Sequence, residues 1–206
     1  MTRTREWLIP LTGVVFVILG IVTFLVGGEP KSADEPVREI VDYYVDNKNS
    51  VEAAAFIGVA ATLFLVFFGA YLRKVLHAGA PDEWLSLVSF TGLVVISIGF
   101  AIDSTISFAL AESAKDIDPT AAQALQALWD NDFIPLMLGV LMFLWATGLS
   151  VIRHGVLPKW LGWVMVALGV VGMTPIGFIA FLGSAILVVV LSVLLSLRAR
   201  SAPATG

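Results

Sequence analysis

Cysteine is absent from the 206 residues of this sequence. Its absence excludes disulfide bonds, thiolate metal sites, iron–sulfur clusters and cysteine nucleophiles. Basic residues are also few, since 12 Lys and Arg against 16 Asp and Glu give a formal net charge of -4. Proteins that bind nucleic acid carry basic patches instead, so we expect no nucleic-acid partner.

Charge of either sign is scarce. Charged residues make up 14% of the sequence and hydrophobic residues 58%, whereas a soluble domain has about 25% charged residues. The mean hydropathy is +0.93. A small soluble domain cannot hide this much apolar surface in one core. The composition therefore predicts an all-α polytopic helical bundle, with residues 1–206 as a single transmembrane domain and the lipid bilayer as its first partner.

Apolar runs long enough to cross a bilayer, which takes about 20 helical residues, recur along the sequence. The first run, Leu8 to Val26, exceeds the about 7–15 residues of a signal-peptide core, so we expect it to be retained. Pro175 and Gly177 divide the last apolar stretch, because proline interrupts a helix and glycine permits a reversal. A single kinked helix there is the alternative, and it would leave five spans. We predict six transmembrane helices at about 7–28, 51–72, 84–109, 133–153, 159–174 and 176–197.

Basic residues sort to one side of this arrangement. Cytoplasmic flanks of transmembrane helices are enriched in Lys and Arg. With six spans, this bias predicts that the N- and C-termini are both cytoplasmic, in a multi-pass protein of the cell inner (plasma) membrane. The eight inside residues are Arg3, Arg5, Arg73, Lys74, Arg153, Lys159, Arg198 and Arg200, and the four outside residues are Lys31, Arg38, Lys48 and Lys115.

Two outer loops contain helical patterns. Apolar residues recur at helical spacing after Asp34-Glu35-Pro36 and after Asp118-Pro119, and an acidic residue followed by proline is a helix-start signal. We therefore predict outer surface helices at about 36–47 and 119–129. They would cover the ends of the spans or lie along the membrane surface.

Tryptophan and glycine mark predicted interface and packing positions. Trp7, Trp84 and Trp160 each open a span, and tryptophan is enriched at membrane–water interfaces; three related hairpins are the alternative explanation of their even spacing. Glycines recur every seven residues in the first, third and fifth spans, and small residues let helices approach closely in lipid. We therefore predict that the odd-numbered spans form the tightly packed centre. The packing residues would be Gly13, Gly20, Gly92, Gly99, Gly162 and Gly169.

Asp103 is the one ionisable side chain inside a predicted span. Such residues are functional candidates, because a charge in the membrane is costly. It follows Trp84 by about 28 Å of helix, which puts it near the outer end. With Ser104, Thr105 and Ser107 it forms a candidate site for a ligand, a cation or a proton. Simple hydrogen bonding near the interface is the alternative.

The triplet Asp130-Asn131-Asp132 precedes the fourth span. Asp130 and Asp132 are candidates for a hard-cation site, since such ions prefer oxygen ligands. Capping of the following helix is the interpretation we favour, because these residue types complement a helix N-terminus. We predict no metal site and no cofactor, since the two histidines, at helix ends, lack further ligands.

Common catalytic patterns, such as HExxH, a phosphate-binding glycine loop and G-x-S-x-G, are missing from the sequence. The leading hypothesis is a non-enzymatic binding or accessory module for lipid, another apolar ligand or membrane partner subunits, including copies of itself. A small transporter or channel with a polar path near Asp103 is the first alternative. An integral membrane enzyme is the second.

The segment around the predicted fifth span carries a resemblance. Residues 154–163, which read HGVLPKWLGW, resemble a phrase shared by small multi-span integral membrane proteins of bacteria, common in actinobacteria and of unknown function. The resemblance covers about residues 150–200. It implies a bacterial inner-membrane location and brings no catalytic residue with it.

Overall fold

The computed structural model describes residues 3–79 and 84–201, and every regular element in these ranges is a helix. The all-α class predicted from composition is therefore confirmed. Within the described ranges, a 3-10 helix over Arg3–Leu11 leads into eight α-helices. These are α1 Thr12–Gly27, α2 Val37–Asp46, α3 Lys48–Gly79, α4 Leu85–Ser113, α5 Pro119–Asp130, α6 Phe133–His154, α7 Lys159–Val171 and α8 Phe178–Ser201.

Five stretches of the described chain are long and apolar enough to cross a membrane, which defines an integral membrane helical bundle. α7 has 13 residues, about 20 Å of helix, and is shorter than the hydrocarbon core of about 30 Å. The predicted span at 159–174 thus corresponds to a helix that ends at Val171. The five long stretches are Glu6–Gly27, Lys48–Gly79, Leu85–Ser113, Pro119–His154 and Phe178–Ser201.

A tight turn joins α7 to α8. The Gly172 amide donates to the Leu168 carbonyl at 2.8 Å, so the end of α7 is closed locally. Gly172 also lies against Ala180 of α8, because α8 folds back on α7. The alternative of one long kinked helix is therefore wrong, and Pro175 lies in the reversal, where its missing amide hydrogen breaks no helical bond.

The first span does not begin as an α-helix. Residues 3–11 form a 3-10 helix that contains Pro10, and α1 starts only at Thr12. Proline has no amide hydrogen and clashes with the carbonyl one α-turn earlier, so the chain adopts the tighter 3-10 geometry before the α-helix begins. Trp7 therefore stands on the 3-10 helix.

The long helices pack as neighbours in a ring. α1 packs on α3, α3 on α4, α4 on α6, α6 on α7 and α7 on α8, while α8 returns to α1 and the 3-10 helix. Large apolar side chains fill the middle of the ring, so the interior is a packed apolar core. They include Phe68, Leu93, Phe143, Leu161 and Leu191.

Glycine lets α4 and α6 touch backbone to backbone. A methyl group placed on Gly92 would lie 2.6 Å from the Phe143 nitrogen, and one on Gly139 would lie 2.6 Å from the Gly92 carbonyl oxygen. Gly99 lies against the backbone of Leu136 in the same way. Real side-chain carbons essentially never approach within 3.0 Å, so a larger residue would force the two helices apart.

The remaining predicted packing glycines differ among themselves. Gly162 and Gly169 face α6, and Gly13 faces α3 and α8. A methyl group on Gly20 would meet no described atom within 4 Å. The expectation of a centre built from the odd-numbered spans is therefore corrected, because these spans pack chiefly on even-numbered neighbours, as consecutive antiparallel helices do.

α2 and α5 form a cap over one end of α3 and α4, which we call the outer end. Their apolar faces close a second hydrophobic cluster, separate from the core of the ring. It includes Ile40, Tyr44, Val51, Leu110 and Ala122. The cap is therefore folded against the bundle rather than lying apart from it.

The helix-start signals of the cap differ in outcome. The Asp118 carboxylate accepts from the Thr120 amide at 2.8 Å, so it caps α5 as predicted. α2 begins at Val37, and no side chain caps it, because Pro36 occupies the capping position. The expectation that Pro36 is the first helical residue is therefore corrected.

The two ends of the described chain meet at the other end of the bundle, which we call the inner end. The Arg200 guanidinium carbon lies 3.7 Å from the centroid of the Trp7 ring. Trp84 and Trp160 stand at the starts of α4 and α7 on this same side, and these residues are 64% and 60% exposed.

Candidate functional site at the outer end

Asp103 lies half-buried near the outer end of α4, next to α5. Gly99 packs against Leu136 one turn earlier, and α4 and α6 run antiparallel, so Asp103 faces the start of α6, where Asp132 stands. The two carboxylates are close enough to repel each other. The structure thus brings together two acidic residues that are 29 positions apart in the sequence.

Two buried polar atoms at this site, Asp132 Oδ2 and Trp129 Nε1, have no hydrogen-bond partner among the residues that the structure describes. The Trp129 indole is within interaction range of the Asp103 carboxylate but does not reach hydrogen-bond geometry. Asp132 precedes α6 without capping it. Its φ of -80° and ψ of 7° lie outside the extended region from which a capping side chain reaches back, so the capping prediction for Asp132 is wrong.

Asp130 joins the outer loop to the cap. Its Oδ2 accepts from the Ala33 amide at 2.8 Å, and its Oδ1 accepts from Gln126 Nε2 at 2.9 Å. Gln126 Oε1 in turn accepts from the Tyr44 hydroxyl at 2.7 Å. Asp130 therefore ties three segments together, and the prediction that it caps α6 is wrong as well.

Tyr44 and Gln126 are the residues of this network that sequence reasoning missed. Burial raises the pKa of Tyr44 above its ordinary value of 10.0, and the neighbouring Tyr43 and Asp130 raise it further. The phenol therefore stays neutral and donates its proton to Gln126. Tyr44 lies on the buried face of α2, but no local sequence pattern pairs it with a residue 82 positions away.

The hydroxyl residues around Asp103 do not converge. Ser104 is buried against Gly58 of α3. Thr105 is exposed and donates to the Ala101 carbonyl at 2.7 Å, while Ser107 donates to the Asp103 carbonyl at 3.0 Å. Two of the three hydroxyls are therefore engaged by their own helix, and the three side chains point in different directions.

A shallow apolar groove runs along the outer half of α4 on its exposed side. It is open to the surroundings and has a volume of about 280 Å³. Ala101 is the smallest of the residues that line it. The groove is lined by Ile98, Ala101, Ile102, Thr105 and Ile106.

Metal ligands do not gather at this end. Within residues 3–79 and 84–201, no three His, Asp or Glu side chains come together in a way that could hold a metal ion.

Comparison with protein-family models, with curated proteins and with solved structures finds no match for this chain. The class of the protein, an integral membrane helical bundle, therefore rests on its helices alone.

Proposed function

We propose that this chain is a non-enzymatic binding or accessory module of a bacterial cytoplasmic membrane, which holds lipid or another apolar ligand against the outer half of α4. The α4 groove is the observation that carries the proposal. Its volume of about 280 Å³ lies just below the about 300–1,000 Å³ of typical ligand pockets, so it suits part of an acyl chain. The packed apolar core favours binding on the outside of the bundle over passage through it.

Replacing Ala101 with tryptophan tests the groove. The indole would fill the depression, so the purified protein should retain fewer phospholipid molecules when native mass spectrometry removes its detergent. Ala60→Trp is the matched control, because Ala60 is exposed on α3 at a similar depth, two residues from the Gly58 that faces Ser104. Unchanged lipid retention in Ala101→Trp would exclude the groove as the binding site.

We also propose that the chain crosses the membrane six times and that both of its termini lie in the cytoplasm. α7 and its turn complete a crossing if the bilayer thins locally around them. The contact between Trp7 and Arg200 supports an even number of crossings. The concentration of basic residues at the inner end supports its cytoplasmic orientation, and the resemblance at residues 154–163 supports a bacterial membrane.

Cysteine labelling tests the topology, since the native chain has no cysteine. Asp42→Cys places a thiol on the cap, and Ser201→Cys places one at the end of α8; both positions are exposed. A membrane-impermeant maleimide should label only the first in intact cells and both after permeabilisation. Equal labelling in intact cells would refute the arrangement.

The facing carboxylates favour a second candidate, a small transporter or channel whose path includes Asp103. Two acidic groups under a cap are the kind of pair that accepts a proton or a cation in a membrane protein. Proteoliposomes with an imposed pH gradient and an internal pH dye would report proton flux. Asp103→Asn should abolish it and Asp34→Asn, an exposed loop change, should not; flux unchanged in Asp103→Asn would remove Asp103 from the mechanism.

A further inference from the structure

Positive charge is concentrated at the inner end, where eight of the 12 basic residues flank the spans. Two of them contact neighbouring residues of the N-terminal 3-10 helix. Arg200, from α8, lies on the Trp7 ring. Lys74, from α3, lies 3.3 Å from Glu6, the residue next to Trp7.

The contact between Arg200 and Trp7 leaves the donors of the arginine available. At 3.7 Å from the ring centroid, the guanidinium lies against the face of the indole, which attracts a cation. The N–H groups of a guanidinium lie in its plane and point outward from its edge. Because Arg200 is exposed, this edge is open to a ligand, and its fork matches the geometry of a phosphate.

Lys74 adds a second charge at the same level. Its side chain is 65% exposed, and its ammonium lies 5.8 Å from the centroid of the Tyr71 ring. The Glu6 partner neutralises part of this charge, but an exposed ion pair of this kind is weak. A stronger anion therefore competes with Glu6 for the ammonium.

The depth of these residues indicates where the anion comes from. Tryptophan side chains lie at the headgroup level of a bilayer, and Trp7 carries Arg200 at this level. Apolar side chains continue from the site along the bundle, since Leu8, Leu197 and Val193 are 42%, 53% and 42% exposed. A free phosphate ion would leave this apolar surface unused, whereas the acyl chains of a phospholipid would cover it.

We infer that Arg200, held on Trp7, and Lys74 bind the phosphate headgroup of an anionic phospholipid at the inner end. This site lies at the opposite end from the α4 groove and does not depend on it. Arg200 supplies a bidentate contact and Lys74 a point charge. The acyl chains of the lipid run along Leu197 and Val193.

Native mass spectrometry of the full chain in neutral detergent, titrated with phosphatidylglycerol or phosphatidylcholine, tests the inference. The protein should bind phosphatidylglycerol in preference, and inorganic phosphate at the same concentration should not displace it. Arg200→Gln should weaken phosphatidylglycerol binding about fivefold, the usual effect of one interfacial cation. Lys74→Gln should weaken it to a smaller extent, because Glu6 already neutralises part of the Lys74 charge.

Two further variants separate this site from a general effect of charge. Arg38→Gln removes a basic residue of the cap whose side chain is 91% exposed, and it should leave phosphatidylglycerol binding unchanged. Arg200→Lys keeps the charge and loses the planar fork, so its binding should fall between wild type and Arg200→Gln. Equal weakening by Arg38→Gln, or wild-type binding by Arg200→Lys, would overturn the inference.

Discussion

Replacing Gly92 by alanine should destabilise the bundle, whereas replacing Gly20 by alanine should not. Both glycines lie inside long helices, and sequence analysis placed both at packing positions. At Gly92 the added methyl group would lie 2.6 Å from the Phe143 nitrogen and 2.8 Å from the Gly139 carbonyl oxygen. At Gly20 it would meet no described atom within 4 Å.

The magnitudes follow from these distances. Ordinary contact begins near 3.4 Å, so α4 and α6 must separate by roughly 0.8 Å at Gly92. A radial gap of this size forfeits about a quarter to a half of the dispersion energy of the contacts around it, and overpacking costs about 1–3 kcal/mol. Gly20→Ala removes a flexible residue from a helix without a clash, so it should gain at most about 0.5–1 kcal/mol.

Reversible unfolding of the purified protein in mixed detergent and dodecyl sulfate measures both changes. Gly92→Ala should lower the free energy of unfolding by more than about 1 kcal/mol. Gly20→Ala should leave it unchanged or raise it. If the two variants shifted the unfolding midpoint by the same amount in the same direction, the backbone contact between α4 and α6 would not be the source of the difference.

Three other perturbations test the cap and the bundle. Tyr44→Phe leaves the buried Gln126 oxygen without its donor and should cost about 1–3 kcal/mol in the same unfolding assay; a cost near zero would contradict the network. Hydrogen bonds from the start of α5 lower the pKa of Asp118 below its ordinary 3.8, so the stability that this cap supplies is complete above pH 3.8 and is lost as pH falls through the lowered pKa. The protection of the first amides of α5 against hydrogen exchange, relative to the intrinsic rate at each pH, should fall over that acid range and stay constant at neutral pH. Ser89→Ala removes the 2.7 Å hydroxyl bond to Thr147 between α4 and α6 and should cost about 0.5–1.5 kcal/mol, with no added cost when Thr147 is already valine.

The class of the protein and the order of its helices were determined by sequence alone. Apolar runs of span length, the acidic residue before Pro119 and the break at Pro175 each act through neighbouring residues. Local signals of this kind state where a helix begins, where it ends and whether it prefers lipid. The first apolar stretch begins at Glu6, next to the predicted start at residue 7. The 3-10 geometry of Arg3–Leu11 was not predicted, because the segment around Pro10 has no distinct apolar period.

Only the tertiary structure decided which residues meet. Asp103 faces Asp132 because α4 and α6 cross closely through Gly92 and Gly139, and no pattern within either helix specifies that register. No local pattern specifies the partner of Asp130 either. Its carboxylate accepts a hydrogen bond from the Ala33 amide and does not cap the helix that follows it. Pairings between distant segments depend on how all the helices pack at once, and packing is a property of the assembled bundle.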